Sequence, residues 1–291
     1  MSRRLLLAIA ALALVAASPL AFADENYFGY SYGAETLPAG KNEAYLWLTH
    51  REGKKEGHYD AQDVQVELEH GWTDRFQTSF YLTGRAHNIS GTALEDEHTG
   101  LGIQRNRRLD FDGAKVAMKW NLRSPFKDGY GLALYLEPGF GSIHKVSGER
   151  RTEVAVEGKV ILQKNFLDDQ LVTVYNLTLE PEWERETEDG VTKWEPELSV
   201  ENSAGVSYRF APKWYAGVEA RVHMEYPDYG AREHWALFAG PTLHYGGQRW
   251  WATLTWLPQI KGGPVEADRS RRLHLEEHEQ QETRLKLGVN F

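Results

Sequence analysis

Three groups of residues in this sequence could do chemistry. His87 and Ser90, within His87-Asn88-Ile89-Ser90-Gly91, offer a base and a hydroxyl. Activating that hydroxyl requires both side chains on one face. On an extended strand this means a spacing of two, and here the spacing is three, at the start of a loop. The stretch His274-Leu275-Glu276-Glu277-His278 matches H-x-x-E-H, a zinc-protease pattern. That chemistry needs a helix and a further distant ligand, whereas only 13 residues follow His278 and they read as a strand. Proteolysis is therefore set aside. His274 and His278 remain candidates for divalent-metal binding by imidazole and carboxylate, against the plainer reading of a solvated acidic loop. His223 stands between Arg221 and Glu225 and reads as an ion-paired histidine. There is no phosphate-binding loop, no dinucleotide fingerprint and no cysteine, so no cofactor and no thiolate metal site are expected.

The more extensive chemistry is ionic. The formal charge is −9, which argues against nucleic acid as a partner. The charges alternate with apolar residues at period two. From Lys213 to Tyr226, the residues Trp214, Ala216, Val218, Ala220, Val222, Met224 and Tyr226 share one face. Tyr215, Gly217, Glu219, Arg221, His223 and Glu225 share the other. Fourteen alternating residues with aromatics at both ends suit a tilted, membrane-spanning strand better than a soluble sheet edge.

Twelve such segments are readable, at about 41–50, 59–71, 75–87, 109–122, 129–143, 152–165, 170–183, 193–210, 213–226, 233–246, 248–258 and 281–291. Tight turns at 71–74, 165–169, 211–212 and 246–247 alternate with longer charged connections at 88–108, 144–151, 184–192 and 259–280. Short turns on one side, long loops on the other and an even strand count predict an all-β, antiparallel up-and-down transmembrane barrel with both termini on the periplasmic side. Trp72, Trp120, Phe210, Trp214 and Trp250 fall near the short turns, while Trp183, Trp194, Tyr226 and Trp256 fall near the long loops, as two interfacial belts would.

The chain opens with Arg3 and Arg4, an apolar run from Leu5 to Ala17, and Ala21-Phe22-Ala23, which together read as a cleaved signal peptide over 1–23. Its removal takes away two positive charges and leaves −11. Residues 24–40 are expected to be a periplasmic segment or a plug, and 41–291 the barrel in the cell outer membrane. Leu285, Leu287, Val289 and Phe291 alternate outward to a terminal aromatic, a pattern expected to be read by barrel-insertion machinery.

The stretches Tyr32-Gly33-Ala34-Glu35-Thr36-Leu37-Pro38-Ala39-Gly40-Lys41 and Glu67-Leu68-Glu69-His70-Gly71-Trp72-Thr73-Asp74-Arg75-Phe76-Gln77, followed by Tyr81-Leu82, resemble an uncharacterised family of proteobacterial outer-membrane β-barrels, a domain of unknown function. The resemblance is firmest over residues 30–85. It implies location and fold, and it brings no catalytic residues with it.

The alternation turns a dense set of charges inward: Glu67, Glu69, Arg85, Lys115, Lys119, Glu137, Glu157, Lys159, Glu197, Glu201, Arg209, Glu219, Arg221, Glu225, Arg284 and Lys286, with His223 among them. If they pair across the lumen, the barrel is a closed scaffold. If water fills the space, it is a narrow pore whose acidic excess favours small cationic solutes. Either way the expected role is non-catalytic, with outer-membrane lipid as the surrounding partner. An envelope hydrolase and a soluble periplasmic β protein are the alternatives.

Overall fold

The computed structural model describes residues 26–91, 102–188, 191–264 and 272–291. The expected signal segment lies outside these. The strands are β1 (Asn42–Glu52), β2 (His58–Thr73), β3 (Phe76–Ser90), β4 (Arg105–Arg123), β5 (Gly131–Ile143), β6 (Arg150–Phe166), β7 (Leu171–Glu188), β8 (Val191–Ala211), β9 (Trp214–Pro227), β10 (His234–Gly246), β11 (Trp250–Gly263) and β12 (Gln281–Asn290). Each pairs antiparallel with its neighbours, and β1 pairs with β12 to close the barrel. Leu46 stands opposite Leu287 and Leu48 opposite Leu285 at this seam. Closure leaves no open sheet edge, the condition for a sheet to cross hydrocarbon.

The apolar face of the alternation points out. Val66 is 47% exposed, Val218 61% and Leu254 46%, and comparable residues ring the whole barrel. Packed together in a core these side chains would be buried; displayed on every strand they form the lipid-facing band of an outer-membrane β-barrel. Among the described residues no helix is long and apolar enough to cross a membrane. Phe76 stacks on Trp120 at 5.1 Å and Tyr245 packs on Trp250 at 4.6 Å near the short turns. Trp194 and Trp256 are exposed toward the long connections.

The strands reach further outward than the alternation implied. β3 runs to Ser90, β4 begins at Arg105, β7 and β8 leave only a two-residue connection, and β11 extends to Gly263. Three connections expected as loops, 88–108, 184–192 and 259–280, are thus partly strand. Beyond the lipid both faces of a hairpin meet water, so polar residues on either face satisfy it and the period-two signal disappears while the backbone ladder continues. His87, which ends the expected segment 75–87, sits well within β3, buried and facing inward, and Ser90, expected in the loop, ends the strand exposed on the opposite face.

Candidate functional site: a strapped lumen beneath an acidic vestibule

Residues 26–39 form no strand, yet they are largely buried, because they run as a strap through the periplasmic half of the lumen. A backbone without a ladder must find its hydrogen bonds elsewhere. The successive N–H groups of Gly29, Tyr30 and Ser31 all donate to the Glu219 carboxylate on β9, at 3.0 and 2.9 Å for the first two. This is a nest of amides closed around a wall anion. Neutral amide side chains do the same work along the strap. Tyr32 N donates to Asn176 Oδ1 at 2.6 Å, Ala34 N to Gln163 Oε1 at 2.7 Å and Leu37 N to Gln77 Oε1 at 2.6 Å. In return Asn176 and Asn121 donate to the carbonyls of Tyr32 and Ala34. Lys286 reaches Asn26 Oδ1 at 2.6 Å, and Arg284 donates to Gly29 O.

The wall makes room for this segment with glycine. A Cβ at Gly205 would lie 2.4 Å from the Phe28 ring, and one at Gly131 would lie 2.8 Å from Ala34 Cβ. Phe28 is fully buried, so it has nowhere to yield. Gly205→Val is expected to displace the strap while the barrel stays folded, read as faster protease cleavage within residues 26–39 on a heat-modifiable barrel. Unchanged protection would show that Phe28 does not fill the space over Gly205.

At the apex of the strap, Tyr30 and Tyr32 form the floor of an outward cavity of about 310 Å³. Arg284 lies 3.8 Å from the Tyr30 ring centre, Arg221 lies 4.6 Å from it, and Lys159 lies 5.1 Å from that of Tyr32. The cavity is lined by 13 Asp and Glu against 7 Lys and Arg. The acidic excess is uneven. β6 to β9 carry Glu153, Glu157, Glu180, Glu182, Glu184, Glu197, Glu201 and Glu225 against Lys159 and Arg221, whereas Arg51, Arg85, Lys115 and Arg284 on β1, β3, β4 and β12 face Asp63, Asp112, Glu137 and Glu282 on β2, β4, β5 and β12. On the acidic wall Glu153 stands directly across from Glu184, and Glu182 across from Glu197. Like charges in direct register destabilise a sheet, so this wall favours any cation that enters. On the basic wall the cations are already engaged: Arg51 with Asp63 at 2.8 Å, Arg85 with Asp112 at 3.2 Å and Lys115 with Glu137 at 2.9 Å.

A separate cavity of about 190 Å³ opens at the periplasmic end, lined by residues including Leu37, Pro38, Arg249, Trp251 and Phe291. It shares no lining residue with the outward one. Between them lie the strap and a void of about 10 Å³.

The inward charges read from the sequence therefore fall into two levels. Arg85, Lys115, Glu137, Glu157, Lys159, Glu197, Glu201, Arg221, His223, Glu225 and Arg284 line the vestibule. Glu201 and Glu282 clamp Arg221, each at 2.6 Å, and His223 Nε2 lies 2.8 Å from Glu225. Glu67, Glu69 and Lys119 lie below the floor, around the small void, with Lys286 and Glu219 holding the strap from the same interior. Arg209 is on the periplasmic rim, opposite Tyr215. The anchors Gln77, Asn121, Gln163 and Asn176 escaped a reading built on charge. The available signal was their amide chemistry, since an Asn or Gln side chain offers an irregular backbone both a donor and an acceptor at separate atoms. Leu285, Leu287, Val289 and Phe291 follow one another along the lipid-facing side of the last strand and its end. His274 and His278, in the β11–β12 connection, are buried rather than solvated. His87 and Ser90 form no pair; the His87 ring lies 3.0 Å from the carbonyl of Lys145.

At the outer mouth His144, in the β5–β6 connection, is pushed down to about 3 by burial first, then by Arg151 and Arg85. The unfolded chain takes up this proton nearer pH 6.5, so the stabilisation is complete above that value and is lost as pH falls toward 3. Unfolding of the wild type in detergent should steepen with acidification relative to His144→Gln. Parallel pH profiles would remove His144 from the cause.

Closed antiparallel sheet, outward apolar band, belts at both rims and a filled interior define an outer-membrane β-barrel. The chain belongs to DUF6662, a family of unknown function, which matches residues 20–291. Its fold resembles that in the crystal structure of the COG4313 outer membrane channel from Pseudomonas putida F1, with 11% identity over 89% of this chain and 98% of that one, at a TM-score of 0.58. The NanC porin follows at 10% identity over 84% of this chain and 98% of that one, with a TM-score of 0.48. A comparison with curated proteins finds no match.

Proposed function

We propose that this protein is a non-catalytic outer-membrane pore, closed by its own N-terminal strap, whose outward vestibule receives small cationic solutes. The observation that carries this reading is the acidic excess of the lining: 13 acidic against 7 basic groups above a floor of two strap tyrosines. A solute arriving from outside meets a wall on β6 to β9 where Glu153, Glu180, Glu182 and Glu197 stand beside carboxylates already paired with Lys159, Arg151, Arg221 and His223, an acidic excess that favours a cation. Passage then requires the strap to leave. The alternating face ending in Phe291 supports delivery to the barrel-insertion machinery, and the exposed apolar band supports solvation by outer-membrane lipid. Catalysis has no support in the site, because the candidate nucleophile and base point to opposite sides of β3.

The test is ion selectivity. A barrel lacking residues 26–37, recorded in planar bilayers under a potassium chloride gradient, is expected to give a cation-selective reversal potential. Glu180→Gln, Glu182→Gln and Glu197→Gln combined in that background should reduce it. Anion selectivity, or a reversal potential indifferent to the triple substitution, would overturn the cationic assignment.

A further inference from the structure

Outside the vestibule the strongest unexplained chemistry is a histidine cluster that the fold assembles from distant segments. His234 begins β10, His274 and His278 come from the β11–β12 connection, and all three are buried. Their ring centres form a compact triangle: 4.9 Å from His234 to His278, 5.0 Å from His234 to His274, and 5.7 Å from His274 to His278. His234 Nδ1 and His278 Nε2 stand 3.0 Å apart. Two imidazole nitrogens sharing one tetrahedral ion at bonds of about 2.0–2.1 Å are separated by roughly 3.3 Å.

The supporting shell is also present. A metal-ligating histidine ordinarily gives its other ring N–H to a carboxylate or a backbone carbonyl. His234 Nε2 lies 2.8 Å from Glu225 Oε2, and His274 Nδ1 lies 2.9 Å from the carbonyl of Pro264. Those contacts leave His234 Nδ1 and His274 Nε2 as the lone-pair nitrogens; His278 Nε2–H then donates to His234 Nδ1, and metal binding displaces that proton. His274 Nε2 is buried and has no hydrogen-bond partner among the described residues. A buried polar atom left without a partner is costly and calls for an explanation. Glu225 holds a second histidine, His223, through its other oxygen at 2.8 Å, so the carboxylate is fixed from both sides.

We propose that His234, His274 and His278 form a binding site for one divalent transition-metal ion, oriented by Glu225 and the Pro264 carbonyl. Three imidazoles select a zinc-class ion over calcium or magnesium, which take oxygen ligands. Among the described residues no group of three His, Cys, Asp or Glu side chains is already placed to hold a metal ion. Closing the site while keeping the Glu225 and Pro264 contacts requires His278 to turn about its broad terminal torsion. The bound ion ties β10 to the β11–β12 connection, beside the vestibule that Glu277 and His223 also line. This inference does not depend on what the vestibule admits.

The test uses the full-length, untagged barrel folded in detergent and stripped with a chelator. Titration with zinc is expected to show one equivalent per chain by calorimetry, and cobalt(II) should give the intense visible absorption of a tetrahedral nitrogen site. His274→Ala and His278→Ala should each abolish the cobalt signal, and Glu225→Gln should weaken zinc binding about 10–100-fold. His50→Ala, on the exposed outer face of β1, should change nothing. Heat-modifiable migration establishes that each variant is folded. No saturable binding, or several weak equivalents unaffected by His274→Ala and His278→Ala in folded protein, would overturn the site.

Discussion

Replacing Glu219 by alanine is expected to release the strap from a barrel that remains closed. The three amides of Gly29, Tyr30 and Ser31 converge on this one carboxylate, inside the lumen and away from water. Each buried donor left unpaired costs about 1–3 kcal/mol. Their joint loss outweighs the single amide contacts farther along the strap, such as that between Tyr32 and Asn176. The wall is spared, because Glu219 pairs through its backbone with Gly205 on β8 and Gly240 on β10, and alanine keeps those bonds. Glu219→Gln retains one acceptor oxygen and should fall between the two. The measurement is protease cleavage within residues 26–39 together with current bursts in planar bilayers. If Glu219→Ala were as protected and as quiet as the wild type, the nest would not be what holds the strap.

A second large effect separates two adjacent residues on β2. Val66 is 47% exposed on the outer face, midway along the strand, between Leu46 and Leu82 on its neighbours. Gln65 lines the vestibule. Arginine at mid-depth on the lipid face of a barrel costs about 2–4 kcal/mol. Val66→Arg should therefore lower unfolding stability in bilayers by about that amount. Gln65→Arg, one residue away but directed into wetted interior, should shift it by less than about 1 kcal/mol, as an accessible polar site tolerates. Denaturant titration in lipid vesicles checks both. Equal effects, or the reverse order, would mean that inside and outside have been exchanged.

The barrel was legible because its physics repeats every two residues. Trp214 to Tyr226 states the alternation once, and eleven other segments restate it with the same sense. The outer hairpin ends were less legible. In Arg105-Asn106-Arg107-Arg108 both faces are polar, so nothing in the pattern distinguishes a strand in water from a loop, although the ladder from β3 continues there. The strap was a possibility in the sequence but its anchoring was not. Gln77, Asn121, Gln163 and Asn176 look like ordinary inward polar residues until an irregular backbone lies against them. The histidine cluster shows a different limit. His274 and His278 are four apart and visible, while His234 enters from another strand, and only barrel closure and the folded β11–β12 connection bring its ring to 4.9 Å from His278. The charged lumen, by contrast, followed directly from alternation. Its division into a vestibule above and a strap-binding level below depended on where residues 26–39 run.

The most direct measurement of the central claim, that the N-terminal strap closes the lumen, is single-channel current through the full-length barrel and through one lacking residues 26–37. Both should be folded and heat-modifiable. The expected result is a silent full-length protein and well-resolved conducting steps after deletion. Equal conductance in the two would contradict closure by the strap.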